Sequence, residues 1–447
     1  MSEDCLKLNV YVPGNASTHS HASKAVMLWL YGGAYLIGQS RIYNAERLAA
    51  FGDVIVVTAN YRVGAFGFLS TGDGVLPGNA GLWDQQAAIA WVYENIADFG
   101  GDRNNITLFG ESAGGASSTF QLLNPQNKGK IRRVIASSGT FACPWAFNDN
   151  SMTSARTFSM RLANRLGCSA DRYPGFSVEG HKKILKCLRS RPMTSIIKNS
   201  LVSSLEETLF RADWVPSLDG HFIKRDVLSL FKLSSANLDS AGRNVHNFIL
   251  NDTLLGDVDV MIGSNYDDGE VIVKTTAQLY LSGKTGLNLD DPNLTYEEVS
   301  KYYVTKILQD IYGVYNPLPK LEDLFRNVYV SKNMSLASVP DAVVHAVLDM
   351  TTDFEFFIPA LQTLSNIATV SVHSERKMYM WQFDRKYPYL SRPHWVQHAS
   401  HGDDLPYVFG FPQSMSEAFN ITQAVQKAEW STARNIMTFW SNFAKSG

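Results

Sequence analysis

Short, continuous runs of apolar residues recur along the chain, and segments rich in polar and turn residues separate them. The runs have the length of strands that are buried on both faces of a sheet. They cover residues 25–31, 53–60, 106–109, 134–138, 257–263 and 378–383. Strands that alternate with helical segments are typical of a sheet covered by helices on both sides. The pattern therefore predicts an α/β fold with a doubly wound, mostly parallel sheet.

Two longer segments, at residues 83–97 and 422–443, carry apolar residues at helical spacing. The apolar stripe of the second comprises Val425, Ala428, Ile436, Met437, Trp440 and Phe443. A stripe of this kind usually packs against a core. Between residues 151 and 256 the pattern loosens into helices and loops. We interpret this stretch as a helical insertion over the sheet edge that carries the candidate site.

The composition allows one large domain and argues against several kinds of partner. The chain has 447 residues, of which 45% are hydrophobic and 18% charged, with a formal net charge of −2. No basic surplus points to nucleic acid. The longest apolar stretch, residues 25–38, is too short and too rich in glycine to span a bilayer, and the first residues do not form a signal peptide. We expect a single domain over residues 1–447.

A serine between two glycines follows the apolar run at residues 106–109. Gly110, Glu111, Ser112, Ala113 and Gly114 form a Gly-x-Ser-x-Gly motif. Between a strand and a helix, this motif is typical of the nucleophile elbow of α/β-hydrolases, where a tight turn lifts the serine Oγ clear of the sheet. Chance alone produces such a motif in roughly one chain of this length in five. The motif makes Ser112 the candidate nucleophile.

Several separate segments resemble the type-B carboxylesterase/cholinesterase family. They are residues 3–13, 60–64, 78–85, 138–139, 144–145 and 401–410. The similarity extends from Glu3 to Gly447, with a poorly matching middle at about residues 151–256. The resemblance implies an α/β-hydrolase fold and a serine ester hydrolase that needs neither a metal nor an organic cofactor.

The same resemblance indicates the partners of Ser112. His401 opens a stretch similar to the histidine segment of the family, whereas His398 is then a loop residue. Residues 263–269 resemble the segment that carries the family's acid, and their register selects Asp268 over Asp267 and Glu270. Without the resemblance, we would interpret this acidic cluster as a solvated loop at the end of a strand. The order Ser, Asp, His is the one expected of the fold.

Such a site also needs an oxyanion hole, and small residues that suit one follow the first long apolar run. The resemblance assigns the backbone N–H groups of Gly33, Ala34 and Ala113 to an oxyanion hole, where donors must approach the substrate oxygen closely. A glycine pair after a strand is otherwise often only a turn. Glu111 and Ser138 resemble buried polar residues that support the site.

Four cysteines and six Asn-x-Ser/Thr sequences bear on the cellular compartment. Cys168 and Cys187 flank a loop that resembles one this family closes with a disulfide, whereas Cys5 and Cys143 have no evident partner. The acceptor asparagines are Asn15, Asn105, Asn251, Asn293, Asn333 and Asn420. Together with the resemblance, these features predict a secreted or secretory-pathway glycoprotein.

The chain departs from the family at both ends. Relatives carry several dozen residues upstream of the segment that begins at Glu3, including the partner of Cys5. We therefore expect a catalytic domain that is truncated at its N-terminus and possibly at its C-terminus.

The predicted activity is hydrolysis of a small-molecule or lipid ester through an acyl-enzyme intermediate. Tyr35, Phe141 and Trp145 lie in segments near the elbow, and an apolar wall formed by them favours neutral hydrophobic esters. The same side chains would equally suit the core. The alternative is a non-catalytic adhesion or binding member of the family, against which the intact Ser112, Asp268 and His401 argue. The sequence does not indicate an oligomeric state.

Overall fold

Seven strands form one sheet in the part of the chain that the structure describes. The structure is a computed structural model, and it describes residues 2–14, 23–148, 151–168, 177–206, 213–224, 253–281, 293, 295, 323, 326–330, 339–370, 375–388, 390–410 and 423–447. The strands are β1 (Leu8–Tyr11), β2 (Lys24–Leu30), β3 (Ile55–Ala59), β4 (Gly101–Glu111), β5 (Arg133–Ser137), β6 (Asp259–Asn265) and β7 (Met378–Phe383).

Their order across the sheet is β1-β3-β2-β4-β5-β6-β7. All neighbouring strands run parallel except the edge pair β1 and β3, which is antiparallel. The carboxyl ends of β4, β5 and β6 lie side by side, because Glu111 is in register with Ser137 and Ser137 with Gly263. Loops that leave these three strands therefore meet at one edge, where α/β sheets place their ligand sites.

Helices cover both faces of this sheet. They are α1 (Glu46–Gly52), α2 (Gly64–Phe68), α3 (Ala80–Asn95), α4 (Ala113–Phe120), α5 (Ser151–Arg165), α6 (Val178–Arg189), α7 (Met193–Glu206), α8 (Glu270–Leu281), α9 (Val339–Thr352), α10 (Ile358–Val370), α11 (Leu405–Val408) and α12 (Gln423–Ser446). Among the described helices, none is sufficiently long and apolar to cross a membrane.

The core is divided by the sheet into two layers, because successive strand residues point to opposite faces. Val26 and Leu28 of β2 pack in the layer that contains α3, α4 and α10. Met27 and Trp29 of the same strand pack in the layer that contains α1, α11 and α12. Six of the seven residues of β2 are buried, which explains its continuous apolar sequence.

The predicted doubly wound, mostly parallel α/β sheet is confirmed. Each of the six apolar runs overlaps a strand, although β4 begins five residues before the run at 106–109. The sequence reading missed the edge strand β1. The region 151–256 contains α5, α6 and α7, as expected of a helical insertion, and its loops lie partly outside the described residues.

The C-terminal helix is present, but its predicted buried stripe is partly wrong. Met437, Trp440 and Phe443 are buried as expected. Ala428 is exposed, and the neighbouring Glu429 is buried instead, paired with Arg385 and Tyr407. A charged side chain that finds two buried partners can replace an apolar one at this position. The side chain of Val425 lies outside the described residues.

Candidate active site

Ser112 occupies a sharp turn between β4 and α4. Its backbone has φ +56° and ψ −126°, in the left-handed half of conformational space where residues with a side chain are rare. Its N–H donates to Ser137 O at 2.9 Å, which ties the turn to the end of β5. The structure thus gives the predicted elbow its expected position and strain.

The two glycines of the motif are required by close backbone contacts. A Cβ on Gly110 would collide with the carbonyl of Gly114, and one on Gly114 would collide with the carbonyl of Leu30 at the end of β2. The start of α4 therefore rests directly on the central strand. Any larger residue at either position would push Ser112 out of place.

His401 and Asp268 form a buried pair beside this elbow. His401 Nδ1 lies 2.7 Å from Asp268 Oδ1, and the Asp268 side chain is fully buried. Asp268 Oδ2 accepts a hydrogen bond from Asn265 N at 2.9 Å. Asp268 lies three residues after β6 ends at Asn265, so the sheet helps to fix where its carboxylate lies.

His398 and Asp267, the alternatives to His401 and Asp268, make contacts elsewhere in the loops. His398 Nδ1 is 2.6 Å from Asp384 Oδ1, and both side chains are substantially exposed. Asp267 accepts hydrogen bonds from the N–H groups of Gln397 and His398. The structure therefore brings together the predicted histidine and the predicted acid, while their neighbours hold the loop.

The other ring nitrogen of His401 faces Glu111. The distance from His401 Nε2 to Glu111 Oε1 is 3.2 Å. Within the described residues, no hydrogen bond joins Ser112 Oγ to His401. Hydrogen bonds between a nucleophile and its base are often long until a substrate is bound. The contact with Glu111 was not foreseen from the sequence, which identified Glu111 only as a supporting polar residue.

Burial and charge shift the pKa values of both groups. Burial raises the pKa of Glu111 to about 8, with the charges of Asp404 and Asp268 adding to the increase while His401 opposes it. Burial alone would lower the pKa of His401, but the charges of Glu111, Asp268 and Asp404 outweigh it and raise the pKa to about 9. Each of the two groups therefore holds its proton to higher pH than it would in water.

Asp404 is a further buried acid that the sequence reading did not identify. It is fully buried next to His401 in the fold and accepts a hydrogen bond from Asn265 Nδ2 at 3.2 Å. Burial raises its pKa to about 6. The only signal of Asp404 in the sequence was its position three residues after His401.

Among the described residues, no group of three His, Cys, Asp or Glu side chains is arranged to hold a metal ion.

A turn after β2 packs against the elbow. Gly33 has φ +112°, and its carbonyl accepts from Leu36 N at 2.9 Å and Ile37 N at 3.1 Å, while Ala34 follows with φ +54°. A Cβ on Gly32 would lie 2.9 Å from Ser112 Cβ, so the turn is packed directly on the serine.

The N–H groups of this turn are available as donors. In the described part of the chain, no acceptor is hydrogen-bonded to the backbone N–H of Gly33, Ala34 or Ala113. Unpaired N–H groups that converge on one place form a binding site for negative charge. The oxyanion hole formed by Gly33, Ala34 and Ala113 stays a prediction.

Ser138 lies just beyond β5, next to the elbow. It is fully buried with φ +50°, and its N–H donates to Gly263 O at 2.8 Å. Its Oγ has no hydrogen-bond partner among the described residues. Ser138 thus belongs to the backbone frame between β5 and β6 that supports Ser112.

The predicted apolar wall is only partly present. Tyr35 and Phe141 are completely buried in the core, where the aromatic ring of Tyr35 packs edge-on against Phe68. Trp145 is partly exposed, and its ring lies 5.9 Å from that of Phe356. The Phe356 ring in turn lies 5.1 Å from the imidazole of His401. Phe356, rather than Tyr35 or Phe141, therefore lies beside the base. The sequence did not indicate Phe356.

The predicted disulfide between Cys168 and Cys187 is present, with a Cα–Cα distance of 5.7 Å. Cys5 and Cys143 are free, and Cys143 is buried.

Of the acceptor asparagines, Asn105 uses its side chain to contact Arg133 and the carbonyl of Lys445, and Asn293 is exposed. Asn15, Asn251, Asn333 and Asn420 lie outside the described residues.

Comparison with known proteins shows the family of the chain. The profile of the carboxylesterase family matches residues 1–447. The chain belongs to the carboxylesterase family. Its α/β-hydrolase fold is that of the family, as the sequence resemblance implied.

Individual relatives match the whole of the chain. Bile salt-activated lipase of Bos taurus is 35% identical, cholinesterase of Mus musculus 32% and neuroligin-2 of Homo sapiens 30%. In each case the alignment covers 100% of this chain, but 67%, 65% and 49% of the relative, respectively. The chain therefore spans about half to two thirds of the length of these relatives.

Proposed function

We propose that the protein is a serine carboxylic-ester hydrolase, either a carboxylesterase or a lipase. The observation that carries the proposal is the buried His401–Asp268 pair at 2.7 Å beside a serine on a strained strand-to-helix turn. Membership of the carboxylesterase family supports the same reaction class. A nucleophile, a base and an acid that orients the base are the parts that acyl transfer needs.

In the proposed reaction, Ser112 Oγ attacks the ester carbonyl carbon while His401 Nε2 takes the hydroxyl proton. The carbonyl oxygen becomes an oxyanion, which the N–H groups of Gly33, Ala34 and Ala113 bind. When the tetrahedral intermediate collapses, His401 protonates the leaving alcohol and an acyl-Ser112 ester remains. Water then attacks this ester with His401 as the base, which releases the acid and regenerates Ser112.

Asp268 has a supporting role throughout these steps. Its carboxylate accepts the Nδ1 proton of His401, which leaves Nε2 free to exchange protons. The negative charge also stabilises the imidazolium that forms during attack. Glu111 faces Nε2 at 3.2 Å, so the base must turn from Glu111 to Ser112 for the first proton transfer.

Neutral esters with hydrophobic groups are the proposed substrates. The Phe356 ring packs beside His401, and the partly exposed Trp145 packs beside Phe356. Apolar surface with a few polar groups is typical of small-molecule sites. Each methylene that enters such a pocket improves binding by up to about 0.8 kcal/mol until the pocket is full.

A series of p-nitrophenyl esters of increasing acyl length, measured beside a choline ester, tests the proposed substrate class. We expect kcat/KM to rise with acyl length to a maximum and to be lower for the choline ester. A clear preference for the choline ester would contradict it. Hydrolysis of no ester at all would favour the second candidate, a non-catalytic binding protein.

We also propose that the protein works outside the cytosol, in the secretory pathway or beyond it. The Cys168–Cys187 disulfide supports this, because disulfides persist mainly in oxidising compartments.

A further inference from the structure

Arg392 connects two carboxylates near the candidate site. It lies in the segment between β7 and His401, and its side chain is only 12% exposed. Its Nη1 is 3.2 Å from Glu270 Oε2, and its Nη2 is 2.6 Å from Asp403 Oδ1. Both carboxylates are buried. The planar guanidinium thus uses two nitrogens to hold two different acids.

The two acids belong to the two loops that must meet for catalysis. Glu270 comes two residues after Asp268, and Asp403 comes two residues after His401. A change in the distance between Glu270 and Asp403 would therefore move Asp268 relative to His401. In the described part of the chain, Arg392 makes no hydrogen bond to His401, Asp268 or Ser112.

Ser400 connects the same two acids a second time. Its Oγ donates to Glu270 Oε2 at 2.8 Å, and its N–H donates to Asp403 Oδ2 at 2.9 Å. Ser400 immediately precedes His401. Arg392, Glu270, Asp403 and Ser400 are called the Arg392 clamp below. The clamp is a closed network of charge-assisted hydrogen bonds, which are among the stronger bonds in proteins.

The charges of the clamp make Arg392 hard to replace. Without the guanidinium, Glu270 and Asp403 would be two buried carboxylates without their shared cation. Lys274 lies 3.7 Å from Glu270 Oε1, but its side chain is 43% exposed and it reaches only one of the two acids. Removing one member of a buried ion network leaves uncompensated charge, which the surrounding loops relieve by moving apart.

We propose that Arg392 is a positioning residue that fixes Asp268 against His401 by holding their loops together. The proposal rests on the proposed ester hydrolysis for its kinetic consequence, but the geometry that it describes is measurable without turnover. It assigns Arg392 no contact with the substrate.

The kinetic test compares Arg392→Gln with Arg133→Gln. Arg133 is a matched control, because it is similarly buried and pairs with Asp259, but at the opposite edge of the sheet. For Arg392→Gln we expect kcat to fall on the order of tenfold to a hundredfold, because small displacements of reacting groups have effects of that size. KM should stay nearly constant. For Arg133→Gln, a comparable loss of thermal stability should leave kcat nearly unchanged.

Two further variants separate positioning from general stability. Arg392→Lys keeps the charge but not the two-pronged geometry, so it should have an intermediate kcat. Arg392→Gln combined with Glu270→Gln removes one of the opposed charges and keeps an acceptor for Ser400, so part of the lost kcat should return. Equal losses in Arg392→Gln and Arg133→Gln at equal melting temperature would contradict the proposal.

A spectroscopic test does not depend on activity. The proton on His401 Nδ1, hydrogen-bonded to Asp268, should give a far-downfield proton resonance in the folded protein. We expect Arg392→Gln to broaden or shift this resonance and Arg133→Gln to leave it unchanged. An unchanged resonance in Arg392→Gln would overturn the clamp. A wild-type protein that shows the resonance and its response to Arg392→Gln, but hydrolyses no ester, would overturn the proposed function alone.

Discussion

Glu111 lies in buried contact with His401, the candidate base, and its charge raises the pKa of the imidazole. His401 must be neutral at Nε2 to accept the proton of Ser112. Although burial lowers its pKa, the charges of Glu111, Asp268 and Asp404 raise it to about 9. An acid residue directly beside a base thus makes the base stronger but keeps it protonated to higher pH.

The pH profile of kcat/KM reports this effect. We expect activity to rise with pH through a midpoint above 6.5, the ordinary histidine value, because only the neutral imidazole is a base. Glu111→Gln removes the charge that most stabilises the imidazolium, so the midpoint should move to lower pH. Asp384→Asn, which alters the partner of His398, should leave the midpoint in place. An unchanged or higher midpoint in Glu111→Gln would contradict the assignment.

Substitutions of adjacent residues test the register of the triad. His401→Ala or Asp268→Asn should lower kcat by at least about 10³, because triad members act as a unit. His398→Ala and Asp267→Asn should have mild effects, since these residues contact Asp384 and the loop backbone instead. The opposite pattern in steady-state kinetics would show that the wrong histidine and the wrong acid were assigned.

At the scale of single elements, the junction of β4 and α4 is the most constrained part of the site. A Cβ at position 114 would meet the carbonyl of Leu30, which belongs to the central strand β2 and cannot move aside. Gly114→Ala should therefore destabilise the protein by about 3 kcal/mol or more. Chemical denaturation followed by circular dichroism measures the change.

Gly74→Ala is the control for this prediction. Nothing lies within 4 Å of a Cβ at position 74, and the residue is exposed. Its effect on the free energy of unfolding should be within about 0.5 kcal/mol. Similar stability losses in the two variants would mean that α4 is not packed against β2 as described.

The sequence predicted elements whose burial is complete and missed those whose pattern is mixed. The strands β2 and β3 were recognisable because both of their faces are covered, so that nearly every residue is apolar. The edge strand β1 is only partly buried and carries no such run. In α12, Glu429 is buried where an apolar residue was expected, because Arg385 and Tyr407, distant in sequence, become its partners.

The candidate site was predictable where a local motif or a family segment marks it. Ser112, Asp268 and His401 were all named from the sequence, and the structure places the last two in contact. The contact of Glu111 with His401 and the connection of Arg392 to Glu270 join residues that lie far apart in the chain. No periodicity or spacing reveals such contacts, since they depend on how loops from different strands meet.

For the molecule as a whole, the disulfide is the feature that depends on the cellular compartment. It joins Cys168, three residues after the end of α5, to Cys187 in α6, with a sequence separation of 19. In protein from the native source, peptide mapping without reduction should find Cys168 bonded to Cys187. Replacing both cysteines by serine should lower the free energy of unfolding by about 2–4 kcal/mol. Recovery of Cys168 as a free thiol, or bonded to Cys5 or Cys143, would contradict the pairing.

Covalent labelling with a fluorophosphonate, located by mass spectrometry, tests the central claim most directly. The reagent reacts with a serine that a neighbouring base has activated and that an oxyanion hole serves. The proposed function predicts one modified peptide with the adduct on Ser112 and no adduct in Ser112→Ala. Labelling should be undiminished in Ser117→Ala, which changes a buried serine of the adjoining helix α4. An adduct that persists in Ser112→Ala, or a folded wild-type protein that forms none, would contradict it.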